Sequence, residues 1–188
     1  MMKIVFVRHA QKERQSYVKD KELPLTAAGL ASSLALVRQL EGYQFDRAFS
    51  SPFKRAKDTI APLVVANDLA LTECEDLQER RVKAEGVIKP ADYVARQWAD
   101  FDYKLTGGES LAEVQARLIA KINAFALAYP QQTLLIGTHG TALATILNYY
   151  DASFGLADYL QLKPLMPYVL EARFEGTTLV GMKVITIE

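Results

Sequence analysis

Two apolar runs constrain most strongly what this chain can fold into. Ile4-Val5-Phe6-Val7 is followed at once by Arg8-His9-Ala10, and Leu134-Leu135-Ile136-Gly137-Thr138 is followed by His139-Gly140. A short run that is apolar at successive positions, without alternation, is the pattern of a strand buried on both faces, as in a parallel sheet covered by helices. The chain has only two histidines, and both stand where such a strand would end. In open sheets of that kind, ligands bind outside the carboxyl ends of the strands.

Helical patterns fill the intervals between the strands. Leu30, Leu34, Val37 and Leu40 recur near the helical period, and Thr26 is placed to cap that helix. Gly29 in its first turn costs helix stability, which predicts close packing against a neighbour. Phe45 to Ser50 reads as a second strand. Ser51-Pro52 reads as an N-cap and first helical residue opening a helix through Ile60, Leu63 and Val64. Leu69 to Glu79 reads as a short strand followed by an acidic loop, Glu73 to Glu79. Residues 82–108 are irregular apart from a helix over Ala91 to Trp98, and read as a small cap-like insertion in a single domain spanning 1–188.

The best helix signal is Ser110 with Glu113, a capping box, followed by Leu111, Val114, Leu118, Ile122 and Phe125 on one face up to about Tyr129. After the strand Thr133 to Thr138, a helix carries Leu143, Ile146 and Leu147. Pro167 to Phe174 and Thr178 to Ile187 read as an edge hairpin turning at Glu175-Gly176-Thr177. Strands alternating with helices predict a three-layer α/β fold: a mainly parallel central sheet, helices on both faces, and an antiparallel C-terminal edge.

Composition narrows the partners. Lysine plus arginine equals aspartate plus glutamate at 22 each, so no global basic field advertises nucleic acid or a membrane, and an anion site must be a local cluster of cations. Cys74 is the only cysteine, which excludes an intrachain disulfide and a cysteine-rich metal site. No apolar run approaches the roughly 20 residues that span a bilayer, and the first is too short for a signal-peptide core. These features predict a soluble, cytoplasmic, single-domain protein with no nucleic-acid or membrane partner, and they leave the oligomeric state open.

Two imidazoles, guanidinium groups and a carboxylate suit one class of chemistry. A neutral imidazole attacks phosphorus and forms a phosphohistidine, splitting one difficult transfer into two easier ones. The phosphoryl oxygens need bidentate donors that stay charged, which arginine supplies better than lysine. A carboxyl group must protonate the leaving oxygen and later take a proton from water.

Arg8-His9-Ala10 resembles the Arg-His-Gly triplet of the histidine phosphatase superfamily, also called phosphoglycerate-mutase-like. Five further segments follow in the family's order. Leu25-Thr26-Ala27-Ala28-Gly29 is similar to its Leu-Thr-x-x-Gly helix start, and Ser51 to Thr59 to its Ser-x-x-x-Arg-Ala-x-x-Thr segment. Leu77-Gln78-Glu79 looks like its Leu-x-Glu segment, and Gly108-Glu109-Ser110-Leu111 and Thr138-His139-Gly140 complete the series. The resemblance implies His9 as nucleophile, Arg8 and Arg55 as phosphate clamp, and His139 as a further phosphate ligand. It implies Glu79 as general acid and base, with Glu109 the alternative, a small phosphorylated substrate, and no metal cofactor.

Departures from the pattern shape the rest. Ala10 stands in place of the usual glycine, and at a positive-φ position alanine would cost about 1 kcal/mol. The mutase pattern Arg-His-Gly-Glu-Ser-x-Trp-Asn is absent. Gln15 could offer an amide where mutases use asparagine, and Gly140 is the second residue assigned to substrate binding. The missing Trp and the compact insertion favour hydrolysis of a phosphomonoester over mutase transfer, with phosphoglycerate or a sugar phosphate as the mutase alternative. A non-catalytic phospholigand-binding regulator is the reading of another class. Lys12, Arg14, Arg80 and Arg81 could welcome an acidic tail, including that of a phosphoprotein. The loop after Ala10 and the 82–108 insertion are where substrate choice is expected to lie.

Overall fold

The computed structural model describes residues 1–14, 19–83 and 88–187. In chain order the elements are β1 (Met2–Arg8), α1 (Ala27–Gln39), β2 (Arg47–Ser50), α2 (Lys54–Ala66), β3 (Leu71–Glu73), α3 (Pro90–Ala99), α4 (Leu111–Ala128), β4 (Thr133–Thr138), α5 (Gly140–Tyr150), α6 (Leu156–Leu162), β5 (Tyr168–Glu175) and β6 (Thr178–Ile185). Short 3-10 turns occupy Asp20–Glu22 and Glu75–Leu77.

The six strands form one sheet in the order β3-β2-β4-β1-β5-β6. The first four run parallel, and β5 and β6 add an antiparallel edge. The α/β class, the helices on both faces and the antiparallel edge are all as expected. Alternation along β1 assigns the faces. Ile4 and Phe6 join Leu134, Ile136, Leu118, Ile122, Leu143 and Ile146 beneath α4 and α5. Val5 and Val7 join Leu135, Leu36, Leu40, Ile60 and Leu63 beneath α1 and α2. Fully burying each such side chain stabilises the fold by about 1.5–3 kcal/mol.

Local signals held where they were strongest. The Ser110 hydroxyl accepts from the Glu113 amide while Glu113 reaches back to the Ser110 amide, so the capping box is complete. Thr26 accepts from the Gly29 amide. Gly29 packs as its cost demanded: a Cβ there would stand 2.2 Å from the carbonyl oxygen of Gln11. The loop after Ala10 therefore does not run free into solvent. Glu13 and Thr26 donate backbone hydrogen bonds to Pro24 and Gln11, and Lys12 bridges Leu25.

Three readings need correction. The apolar stripe read for α1 is one: Leu30 and Leu34 are exposed, and Gly29, Ser33 and Leu36 are its buried residues. The helix after β2 starts at Lys54 with Phe53 as its cap, not at Ser51-Pro52; the Ser51 hydroxyl accepts from the Phe53 amide at 3.3 Å and also lies 2.7 Å from His139 Nε2. The sequence also gave no sign of α6, seven residues between irregular segments. Within 82–108, α3 packs Val94 and Trp98 against Ala144, Tyr159, Phe154 and Leu156 of the α5–α6 region. No helix among the described residues is long and apolar enough to cross a membrane.

Candidate active site

The topology brings the two histidines together. β1 and β4 are parallel neighbours with Arg8 opposite Thr138, so the next residue of each strand, His9 and His139, leaves the sheet at one place. The His9 amide extends the ladder by donating to the Thr138 carbonyl at 3.0 Å. The rings meet edge to face with centroids 5.5 Å apart. Phe53 adds a second edge contact to His139 at 4.9 Å and lies under the Arg55 guanidinium at 4.6 Å.

His9 Nδ1 lies 2.8 Å from the Ala10 carbonyl oxygen. A carbonyl can only accept, so Nδ1 carries the proton and Nε2 is left with its lone pair. Burial pushes the His9 pKa down to about 3; the Ala10 hydrogen bond works against this, and the charges of Arg55, Arg8 and Lys12 reinforce it. His139 is fully buried and is likewise held well below its ordinary value, first by burial and then by Arg55 and His9. Its Nε2 sits 2.7 Å from the Ser51 hydroxyl, and Nδ1 is a buried nitrogen without a partner among the described residues.

Neutral buried histidines carry a stability signature. The unfolded chain protonates them near the ordinary 6.5 while the folded chain resists. Their contribution is therefore complete above about pH 6.5 and is lost as pH falls toward 3. Denaturant unfolding between pH 7 and pH 4 should show this decline, and the slope should be shallower in His9→Ala. An unchanged slope would show that His9 protonates freely in the fold.

Ala10 departs from the family's glycine without strain. Asp68 is the one non-glycine residue with positive φ among those described, so the position needs no glycine on that account. The Ala10 amide donates to Thr59 Oγ1 at 2.9 Å, and Thr59 in turn donates to the Arg55 carbonyl. Thr59 thus ties the turn at His9 to α2, a role the motif position alone did not state.

Arg8 and Arg55 are each held by the far end of the guanidinium. Arg8 Nη1 donates to the carbonyls of Leu162 and Leu165 at 2.8 and 2.9 Å, and Nη2 to that of Lys163 at 2.9 Å. Arg55 Nη1 donates to the Asp20 carbonyl at 2.7 Å and Nη2 to its carboxylate at 3.1 Å. In both residues Nε is buried with no partner among the described residues. A buried, unpartnered guanidinium N–H is costly unless something accepts from it. Gly140 makes room for this arrangement, since a Cβ there would lie 3.0 Å from Cζ and Nε of Arg8.

The two candidate acids differ in their surroundings. Glu79 sits at the start of α5, where Oε2 accepts from the Thr141 amide at 3.0 Å. Oε1 accepts from Ala142 and Arg80 at 3.0 and 2.8 Å. Oε2, with one donor, keeps a lone pair to spare. Glu109 is instead clasped by Arg117 Nε and Nη2 and by the Arg81 amide. Burial works against its ionised form, but the Arg117 and Arg81 bonds outweigh burial and hold its carboxyl below the usual range. Glu109 therefore ties the backbone at Arg81, just before the 82–108 segment, to Arg117 on α4.

A pocket of about 780 Å³ opens beside His9 and Arg8. One wall is Gln11, Lys12, Glu13, Arg14 and Thr26; the other is Leu160, Lys163, Pro164 and Met166. The loop after Ala10 is there as expected. None of the described residues of 82–108 lines the pocket; the end of α6 and the turn after it take that place. Arg80 instead lies against Gln97 and over the Tyr93 ring, and Arg81 donates to the Gly107 carbonyl. Gln15 lies outside the described residues. Among those described, no group of three or more His, Cys, Asp or Glu is placed to hold a metal ion.

Known proteins resemble this chain over most of its length. A 2,3-bisphosphoglycerate-dependent phosphoglycerate mutase of Methylobacterium radiotolerans is 30% identical, over 97% of this chain and 94% of its own. An uncharacterized phosphatase, PhoE, of Bacillus subtilis is 28% identical over 79% and 77% of the two chains. The solved structure of a mycobacterial glucosyl-3-phosphoglycerate phosphatase superposes with a TM-score of 0.72 at 17% identity, covering 97% and 96%, which shows a shared fold. The family profile described as histidine phosphatase superfamily (branch 1) matches residues 4–184. With that match spanning nearly the whole chain, the chain belongs to the histidine phosphatase superfamily.

Proposed function

We propose that the chain hydrolyses phosphomonoesters through a phosphohistidine on His9. One observation carries this reading: the free Nε2 of His9 shares its surroundings with two buried donors, Arg8 Nε and Arg55 Nε, that have no partner among the described residues, with His139 Nδ1 a third buried nitrogen. Two such donors beside a lone pair suit a phosphoryl group, whose oxygens can accept from them, and His139 Nδ1 adds a third donor in the tautomer where the Ser51 hydroxyl donates to Nε2.

In the first step His9 Nε2 bonds to phosphorus as the bond to the leaving oxygen breaks. The carboxyl of Glu79 gives that oxygen its proton. In the second step water attacks the phosphohistidine, its proton passes to the Glu79 carboxylate, and inorganic phosphate leaves with His9 neutral again. The low proton affinity of His9 keeps Nε2 available throughout the ordinary pH range. The test is phosphate release from a panel of phosphomonoesters in the presence of chelator, with acid-labile phosphate trapped on the wild-type chain. Turnover that chelator abolishes, or a chain that never becomes labelled, would overturn the reading.

The mutase relative supports a second reading, transfer back to the same sugar or glycerate. Incubation with phosphoglycerate separates the two, since a mutase yields isomer and a phosphatase yields inorganic phosphate. The absent Trp and Asn of the mutase pattern favour hydrolysis.

Gly140→Ala tests the clamp without touching a charged group. The new methyl pushes the Arg8 guanidinium aside by a few tenths of an ångström, against the three carbonyls that hold its Nη atoms. Misaligning a phosphoryl donor by that amount should lower kcat/KM by roughly 3–10-fold while the fold persists. Wild-type kinetics in a folded variant would show that Arg8 is no part of the clamp.

A further inference from the structure

Both arginines beside His9 are held end-on, but the means differ. Arg8 is gripped by backbone carbonyls at the end of α6, an arrangement that needs no particular side chain. Arg55 depends on one residue, Asp20, which lies outside every motif in the sequence. We propose that Asp20 is a positioning residue for the phosphoryl site, its main-chain carbonyl and carboxylate fixing Arg55 so that the Nε side of the guanidinium serves the phosphoryl group. The inference rests on the assignment of Arg55 to that group made above.

The geometry supports positioning. Nη1 and Nη2 of Arg55 each donate to one oxygen of Asp20, and this leaves Nε–H and the second Nη2 hydrogen on the free side. A bidentate oxyanion contact uses that pair of hydrogens. The other carboxylate oxygen, Oδ1, accepts from Lys12 Nζ at 2.6 Å, so one acid fixes both cations. Lys12 and Arg55 are both among the charges acting on His9.

The turn that carries Asp20 is itself anchored. Leu23 is buried, and Lys21 lies over the Phe53 ring at 5.5 Å and 3.7 Å from a Glu75 oxygen. Arg55 has a side chain 3% exposed, whereas that of Asp20 is 57% exposed. An exposed charge contributes little by Coulomb attraction, so the acceptor geometry matters more than the ion pair. Burial pushes the Asp20 carboxyl up, but the hydrogen bonds and charges of Lys12 and Arg55 outweigh it and keep the group below its ordinary value.

A rival role for Asp20 is that of an internal anion competing with phosphate. Its contacts disfavour this. The carbonyl on Nη1 is main chain and cannot swing away, and the Nε side of Arg55 is not occupied by it.

The two roles predict opposite results. Wild type, Asp20→Ala and Asp20→Asn are compared for binding of inorganic phosphate by calorimetry and for kcat and KM on the best phosphomonoester. Positioning predicts that Asp20→Ala loses roughly tenfold in phosphate affinity and in kcat/KM, while the chain stays folded with a modestly lowered unfolding temperature, since Arg55 Nη2 loses an acceptor. Asp20→Asn keeps an oxygen for Nη2 and should recover most of the loss. Tighter phosphate binding in Asp20→Ala would establish competition and overturn the proposal, as would unchanged binding. An equal loss in Asp20→Asn would make charge the cause and overturn it too. If the wild type binds phosphate but hydrolyses nothing, the hydrolysis reading fails while the binding comparison still decides the role of Asp20.

Discussion

His9→Ala should abolish phosphate release, lowering kcat on the order of 10⁴-fold or more, while the chain still folds and still binds inorganic phosphate. The size follows from removing a covalent nucleophile, whose loss leaves only the catalysis supplied by binding and electrostatics. Retained binding follows from the clamp, because Arg8 and Arg55 are held by α6 carbonyls and by Asp20, not by His9. Single-turnover labelling with a phosphomonoester checks the first part and calorimetry with phosphate the second. A variant that hydrolyses at the wild-type rate would remove His9 from the mechanism. One that loses phosphate binding altogether would show that the clamp depends on the imidazole.

Glu79→Gln carries the second large effect, and it depends on the substrate. Proton donation by a positioned group is worth roughly 10²–10⁴-fold. The loss should be of that order for an alkyl phosphate, whose alkoxide needs a proton to leave. It should shrink toward nothing for p-nitrophenyl phosphate, whose leaving group does not. Glu79 also accepts from three backbone amides at the start of α5, which gives it a second role. An equal loss on both substrates would make it a cap for α5 rather than the acid. Glu109→Gln is the comparison. With its carboxylate clasped by Arg117 and the Arg81 amide, that change should weaken the fold and leave the dependence on leaving group intact.

Particular residues show why some of this was legible beforehand and some was not. β4 appeared at its observed limits because six consecutive residues carry the pattern of a doubly buried strand. Ser110 and Glu113 announced α4 because a capping box involves partners three residues apart. α6 gave no sign, since seven residues hold about two turns, too few to establish a helical period. Ser51-Pro52 is a different case. Its local pattern is that of a helix start, and the Ser51 hydroxyl accepts from the Phe53 amide, but the helix opens at Lys54. That hydroxyl also meets His139, 88 residues away, which no local pattern shows.

The site divides along the same line. The sequence by itself determined which groups are present: the only two histidines, the arginines beside them, and the acid in a Leu-x-Glu segment. It also determined the α/β fold, because hydrophobic period and capping are local properties of the chain. Only the tertiary structure decided how those groups are aimed. Arg8 is oriented by carbonyls more than 150 residues away, and Arg55 by Asp20 across 35. Every residue has a carbonyl, so no pattern marks the ones that Arg8 meets. The same holds for the outer wall of the pocket, built from α6 and the turn after it rather than from residues 82–108. Which side chains exist is written along the chain; which of their hydrogen bonds are already taken is settled by long-range packing.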